Sequence, residues 1–174
     1  MAQFGALSFV RSVQRGTIAV AAAALTGTAT ITTVGLTNSL LVFNGSQSDN
    51  SLDAMNKALT RVELTNATTV TATRNTVGEI QTVSYEVIEF WPGVIKQVQR
   101  GTITMTTASS ATATIDGVTM AKALVEALGF SQTNIDGASV ILSRLTLTNS
   151  TTVTANRTTG TGNVTIGYQV VEFY

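Results

Sequence analysis

The chain has 174 residues, with ten basic against ten acidic side chains and neither cysteine nor histidine. This composition excludes a disulfide framework, cysteine or histidine metal sites, and the Ser-His-Asp and Cys-His nucleophile systems. Zero net charge also removes the long-range attraction that gathers nucleic acid or anionic lipid, so neither is expected as a partner. No cofactor is expected either, and a chain carrying 32 threonines suits binding or structure better than turnover.

Met1 to Val10 contain no basic residue, so no secretory leader is expected there. The longest apolar run, Ile18 to Leu25, covers eight residues, whereas a membrane-spanning helix needs about twenty. Strand signals dominate from there on. In the first half they predict strands near 9–20, 27–34, 38–44, 58–66, 68–74 and 80–90. Ile18 and Val20 share a face of the first, and Ala21 to Ala24 read as that strand running into a turn. Residues 51–59 and 120–128 fit a helical turn as well as a strand. Thr65-Asn66-Ala67 and Asn75 to Gly78 supply turn chemistry. On the strand over 82–90, Val83, Tyr85 and Val87 face one way and Ser84 and Glu86 the other.

The second half repeats the first. Val13-Gln14-Arg15-Gly16-Thr17-Ile18 returns unchanged at Val98 to Ile103, and Thr28 to Ile31 returns at Thr112 to Ile115. Leu64 to Arg74 (LTNATTVTATR) returns at Leu147 to Arg157 as LTNSTTVTANR. Tyr85, Val87, Glu89 and Phe90 return as Tyr168, Val170, Glu172 and Phe173. Four blocks in one order imply a tandem duplication of a unit large enough to bury its own core. The expected fold is all-β, with two tandem homologous sandwich- or barrel-like domains of about six strands each. Their expected limits are an N-terminal arm over 1–8, a first domain over 9–90, a Trp91-Pro92-Gly93 linker and a second domain over 94–174. So short a linker predicts a nearly fixed angle between the domains. Trp91 then either packs between them or stands out as a ligand platform.

No catalytic, cofactor or metal site is predicted. Glu86 and Glu89 point to opposite faces of one strand, and Asp49, Asp53 and Asp136 read as loop carboxylates. Gly160-Thr161-Gly162 has no lysine after it, unlike a phosphate loop. Arg15 and Arg100, Arg74 and Arg157, and Glu89 and Glu172 are kept in both halves although charge is scarce. If the first and last strands of each half are antiparallel neighbours, Arg15 is expected to pair with Glu89 and Arg100 with Glu172. Alternatively, these arginines meet another subunit. Trp91, Phe130 and Tyr174 are the remaining candidates for an interface.

As a set, the VQRGTI, LTN…TTVTA-R and Y-x-V-V-E-F blocks resemble tailed-bacteriophage virion proteins of the small accessory, decoration or fibre-like kind. The resemblance covers both halves; the first departs from it with Ile88 for the second valine and a longer 44–58 segment. It implies a non-enzymatic structural protein located on the virion. Its partners would be capsid, neck or tail proteins and further copies of itself, with a trimer favoured. The other classes to weigh are a receptor- or carbohydrate-binding adhesin module of a phage tail and a glycan-cleaving enzyme.

Overall fold

A computed structural model describes residues 9–49, 55–133 and 142–174. The expected arm over 1–8, together with Asp53 and Asp136, lies outside these. The described chain is all-β. Its strands are β1 (Val10–Val20), β2 (Thr26–Thr30), β3 (Ser39–Ser48), β4 (Arg61–Asn66), β5 (Thr69–Thr73) and β6 (Gln81–Phe90). They continue as β7 (Ile95–Met105), β8 (Ser110–Thr114), β9 (Ala123–Gln132), β10 (Ser143–Asn149), β11 (Thr152–Arg157) and β12 (Val164–Phe173). Of the two ambiguous segments, the described part of 51–59 holds a short 3-10 turn, Met55–Lys57, and 120–128 is a 3-10 turn, Met120–Lys122, followed at once by the start of β9.

Twelve strands form three antiparallel sheets, ordered β1-β6-β3, β10-β11-β8 and β2-β5-β4-β9-β12-β7. The order β1-β6-β3 recurs as β7-β12-β9, and β2-β5-β4 recurs as β8-β11-β10. The six-stranded sheet therefore joins three strands of the first half to three of the second. Buried residues gather in two clusters. Ile18, Val20, Leu41, Val62, Val70, Val83 and Val87 centre the first, and Ile103, Met105, Val153, Val164, Ile166 and Val170 centre the second. The first cluster also takes in Leu128 from β9.

The repeated motifs hold this scaffold together. In VQRGTI, the isoleucine enters the core while the glutamine behaves like a strand of one peptide unit. Gln14 donates from Nε2 to the Thr32 carbonyl (2.9 Å) and accepts from the Thr32 N–H (2.7 Å). Gln99 does the same with Asp116, at 2.9 and 2.6 Å. Main-chain groups of a loop that pairs with no strand are thereby satisfied. The motif's glycine sits opposite a tyrosine, Gly16 against Tyr85 and Gly101 against Tyr168. Each tyrosine ring lies over its glycine, and both are buried.

In the middle motif, Asn66 and Asn149 close the β4–β5 and β10–β11 turns. Each side-chain carbonyl accepts the N–H two residues on, from Thr68 and Thr151, at 2.9 Å. The motif ends in a buried arginine. Arg74 donates to the carbonyls of Ala21, Ala22, Ala24 and Glu79 at 2.6–2.9 Å. Arg157 reaches Ala108 and Gly162 in the same way, at 3.0 and 2.9 Å. A guanidinium thus ties the turn after the first strand to the loop before the last.

A side-chain carbon added at Gly101 would stand 2.8 Å from the Tyr168 hydroxyl oxygen, so the ring would have to leave its place. Gly101→Val is expected to destabilise the chain by about 1–3 kcal/mol, read as a lower urea midpoint at unchanged slope. An unchanged midpoint would show that the tyrosine packing over glycine contributes little.

Candidate functional site: the junction between the halves

The first and last strands of each half are antiparallel neighbours, but the expected ion pairs are not the ones formed. Register places Arg15 opposite Glu86 and Ser12 opposite Glu89. Arg15 accordingly bonds Glu86 at 2.9 Å, largely in solvent, and such a pair contributes no more than about 1 kcal/mol. Glu89 is buried and accepts from Arg11 (3.0 Å), Ser12 (3.3 Å) and the Gly35 N–H (2.9 Å). In the second half, Arg100 lies opposite Gln169 and does not meet Glu172. Glu172 instead accepts from Lys96 (3.0 Å), Gln97 (2.7 Å) and the Thr119 N–H (2.9 Å). The retained glutamates therefore clamp the loop before the third strand onto the start of the first.

Trp91 does not pack between the halves. It is half exposed on its Trp-Pro-Gly turn, with the Arg11 guanidinium 5.4 Å from its ring centroid. Phe130 packs against the second cluster, and Tyr174 is 69 % exposed.

What joins the halves is Arg100 and the main chain of Phe130, both singled out in the sequence though not for this contact, together with Arg61, Gly129, Gln169 and Asn56, which the sequence reading passed over. Arg61 of β4 pairs with Gly129 of β9, and the Phe130 N–H donates to the Thr60 carbonyl at 3.1 Å. Gly129 has φ +89°, and an added side-chain carbon would stand 2.3 Å from the Thr60 carbonyl oxygen. Only glycine permits both that backbone and that approach. Gln169 of β12 reaches across to the edge of β3 that has no strand beside it, where its amide accepts from the Leu41 N–H and donates to the Leu41 carbonyl. The same Nε2 donates to Glu126 at 2.8 Å. Arg100 donates to the carbonyls of Leu36 (3.0 Å) and Ser39 (2.5 Å). At the rim, Arg61 donates to Ser131 (3.3 Å) and Asn56 to the Thr133 carbonyl (3.0 Å). Phe90 and Phe173, equivalent residues of the two halves, meet edge to face at 6.2 Å.

The junction holds a partly open cavity of about 270 Å³ lined by Arg61, Glu63, Arg100, Gly101, Leu128 and Tyr168 among others. Burial pulls the Arg100 guanidinium down to about 10 and lowers that of Arg61, and it raises the Glu126 carboxyl against the opposing bond from Gln169. Arg100 is still charged at neutral pH. Glu63 is mostly exposed, 4.0 Å from Arg61. The arrangement is suited to holding main chains together. Among the described residues no group of three His, Cys, Asp or Glu side chains gathers to hold a metal, and no helix is long and apolar enough to cross a membrane.

Comparison with family models, curated proteins and solved structures finds no match.

Two outcomes are expected. Leu128→Ala, which empties a site in the first cluster from the second half, should cost about 2–5 kcal/mol in chemical denaturation. If the first half's transition is unmoved, Leu128 does not complete that core. The second outcome concerns acid. The Thr119 N–H foremost, with Gln97 and Lys96, lowers the Glu172 carboxyl from 4.5 to about 2. A lowered folded-state value stabilises above the unfolded one and is lost as pH falls, so stability should decline between about 4.5 and 2. Denaturation midpoints across that window should fall less steeply in Glu172→Gln; parallel slopes would remove Glu172 as the source.

Proposed function

We propose that the chain is a non-enzymatic structural subunit of a tailed-bacteriophage particle, built as two tandem homologous β-sandwich domains. The first spans 9–90, the second 94–174, and Trp91-Pro92-Gly93 turns the chain between them. Strand order, recurring half by half, supports this division. So do the two clusters, each fed by strands from two sheets.

The observation that carries the reading is where the duplicated polar residues act. Gln14 and Gln99, Arg74 and Arg157, and Glu89 and Glu172 all satisfy main-chain groups of their own half. Apart from Arg15 and Arg100, these polar residues kept through duplication are thus invested in the rigidity of their own half. That suits a part that contributes through area and shape, and the phage placement itself rests on the resemblance of the motifs.

A second reading has one observation in its favour. Phe9, Trp91 and Tyr174 are 64, 50 and 69 % exposed, and Phe9 and Tyr174 share the lining of an apolar hollow with Phe173. An aromatic platform of this kind suits a sugar ring or a receptor, as in an adhesin module.

The test is quantitative mass spectrometry of purified particles, alongside glycan binding by the isolated chain. Stoichiometric copies on the particle and no glycan binding are expected. Copy number then separates capsid decoration from a neck or tail position. Glycan binding abolished by Trp91→Ala would put the adhesin first, and glycan cleavage would end the non-enzymatic reading.

A further inference from the structure

The two halves leave unequal faces behind. Strand β12 is buried along both faces, because Gln169, Val171 and their neighbours are covered by the first half. Its counterpart β6 is buried on the inner face only; Ser84, Glu86 and Ile88 on the other face are half-buried. On the adjoining β1, Val13 is 37 % exposed, whereas the equivalent Val98 of β7 is half-buried. Among the described residues, the first half therefore presents, less covered, the same face that the second half uses to grip the first.

Among the described residues, the complementary face is less covered on the second half than on the first. In the first half, Arg61 of β4 meets Gly129, and Val62 and Leu64 are buried at 2 and 5 %. The corresponding strand is β10, where Arg144 replaces Arg61 and is exposed, and Leu145 and Leu147 are only half-buried. Among the described residues β10 ends its sheet, as β3 does. The bulge is duplicated too. Gly45 of β3 has φ +108° and lies across a register shift, as Gly129 does, yet nothing stands within 4 Å of where its side chain would begin. In Gly129 that space holds a neighbouring strand.

We infer that the chain associates head to tail with further copies of itself, β10 of one chain joining β3 of the next as β4 joins β9 within the chain. The two three-stranded sheets would then merge into a six-stranded sheet, ordered β8-β11-β10-β3-β6-β1, matching the one already present. The inference deepens the structural reading above and rests on its duplicated unit. The occupant is a second copy because the chain already contains a worked example of the contact. That contact is not reciprocal: Arg100 grips Leu36 and Ser39, whereas the equivalent Arg15 turns to Glu86. A non-reciprocal contact leaves one unused face at each end, and repeating it yields a ring where the rotation closes and a filament where it does not. Pairing also relieves the edge hazard carried by β10 and by the Gly45 end of β3, beyond the stretch that Gln169 and Arg100 already cap.

One position sets the joint between chains apart from the joint within. Glu86 stands where Gln169 stands. A carboxylate accepts a main-chain N–H as Gln169 accepts that of Leu41, but it cannot donate to the carbonyl beside it. The outer joint is therefore the weaker of the two and responds to concentration.

Native mass spectrometry and sedimentation of the full chain over a concentration series test this. Oligomers growing with concentration are expected. Ile88→Lys blocks one face and Arg144→Glu the other, so each variant should be monomeric with an unchanged melting temperature. Mixed together they should form a one-to-one dimer and nothing larger, since one good face of each kind remains. Glu86→Gln should shift assembly to lower concentration; it leaves the buried core untouched and so serves should either blocking variant fail to fold. A wild-type monomer at every concentration overturns the inference. So does an oligomer that both blocking variants leave intact, or blocked variants that stay monomeric on mixing. Glycan binding or turnover would defeat the structural reading while leaving this joint standing, whereas a monomer found on particles would do the reverse.

Discussion

Three-stranded sheets leave many main-chain donors and acceptors without a strand beside them, and a buried unpaired group costs about 1–3 kcal/mol. The architecture follows from how these groups are satisfied. Each half does it with one glutamine, one buried glutamate and one buried arginine, which serve the loops that the strands cannot reach. With only 11 % of residues charged, few ionic side chains are left over for other work. The apolar cores then need only modest side chains, chiefly valine, isoleucine and alanine, which fill the narrow space between small sheets.

The same constraint shapes the junction. Gln169 acts toward the β3 edge much as Gln14 acts toward Thr32, offering an amide where a strand would offer a peptide. Arg100 extends this by donating to two carbonyls just before and at the start of β3, and its burial is tolerated because those acceptors are fixed by the fold. Gly129 allows the direct pairing of β4 with β9 that joins three strands of each half into one sheet. Side chains and backbone thus share the joint, and neither half presents its partner with an uncompensated edge there.

Much of the scaffold was legible in the residues. Alternation in Val83 to Val87 and in Val70 to Thr73 places β6 and β5, and the first-half strands fall close to the expected positions. Repetition identified Arg74, Arg157, Glu89 and Glu172 as important without identifying their partners. The Arg15–Glu89 and Arg100–Glu172 pairs failed because pairing depends on register, and register is fixed by a bulge near Val10 and by turns elsewhere in the sheet. Trp91 was legible as a turn residue and illegible as to exposure, since a neighbouring arginine can partner a ring without covering it. The junction was harder still. Gln169, Gly129 and Leu128 differ from their counterparts Glu86, Gly45 and Asn44 in surroundings or in kind, and repetition draws attention to what stays the same. A signal was nonetheless present: Glu86 becoming Gln169 is a loss of charge at a position flanked by matching residues.

Leu128 and Gln169 reach the first half from far along the chain. During synthesis, therefore, the leading half emerges from the ribosome with a gap in its interior and with the Leu41 peptide groups bare. The consequence is an ordering in time: the last residues translated give the first ones their final shape, and a nascent chain halted midway is an unfinished object with a sticky flank that chaperones would recognise.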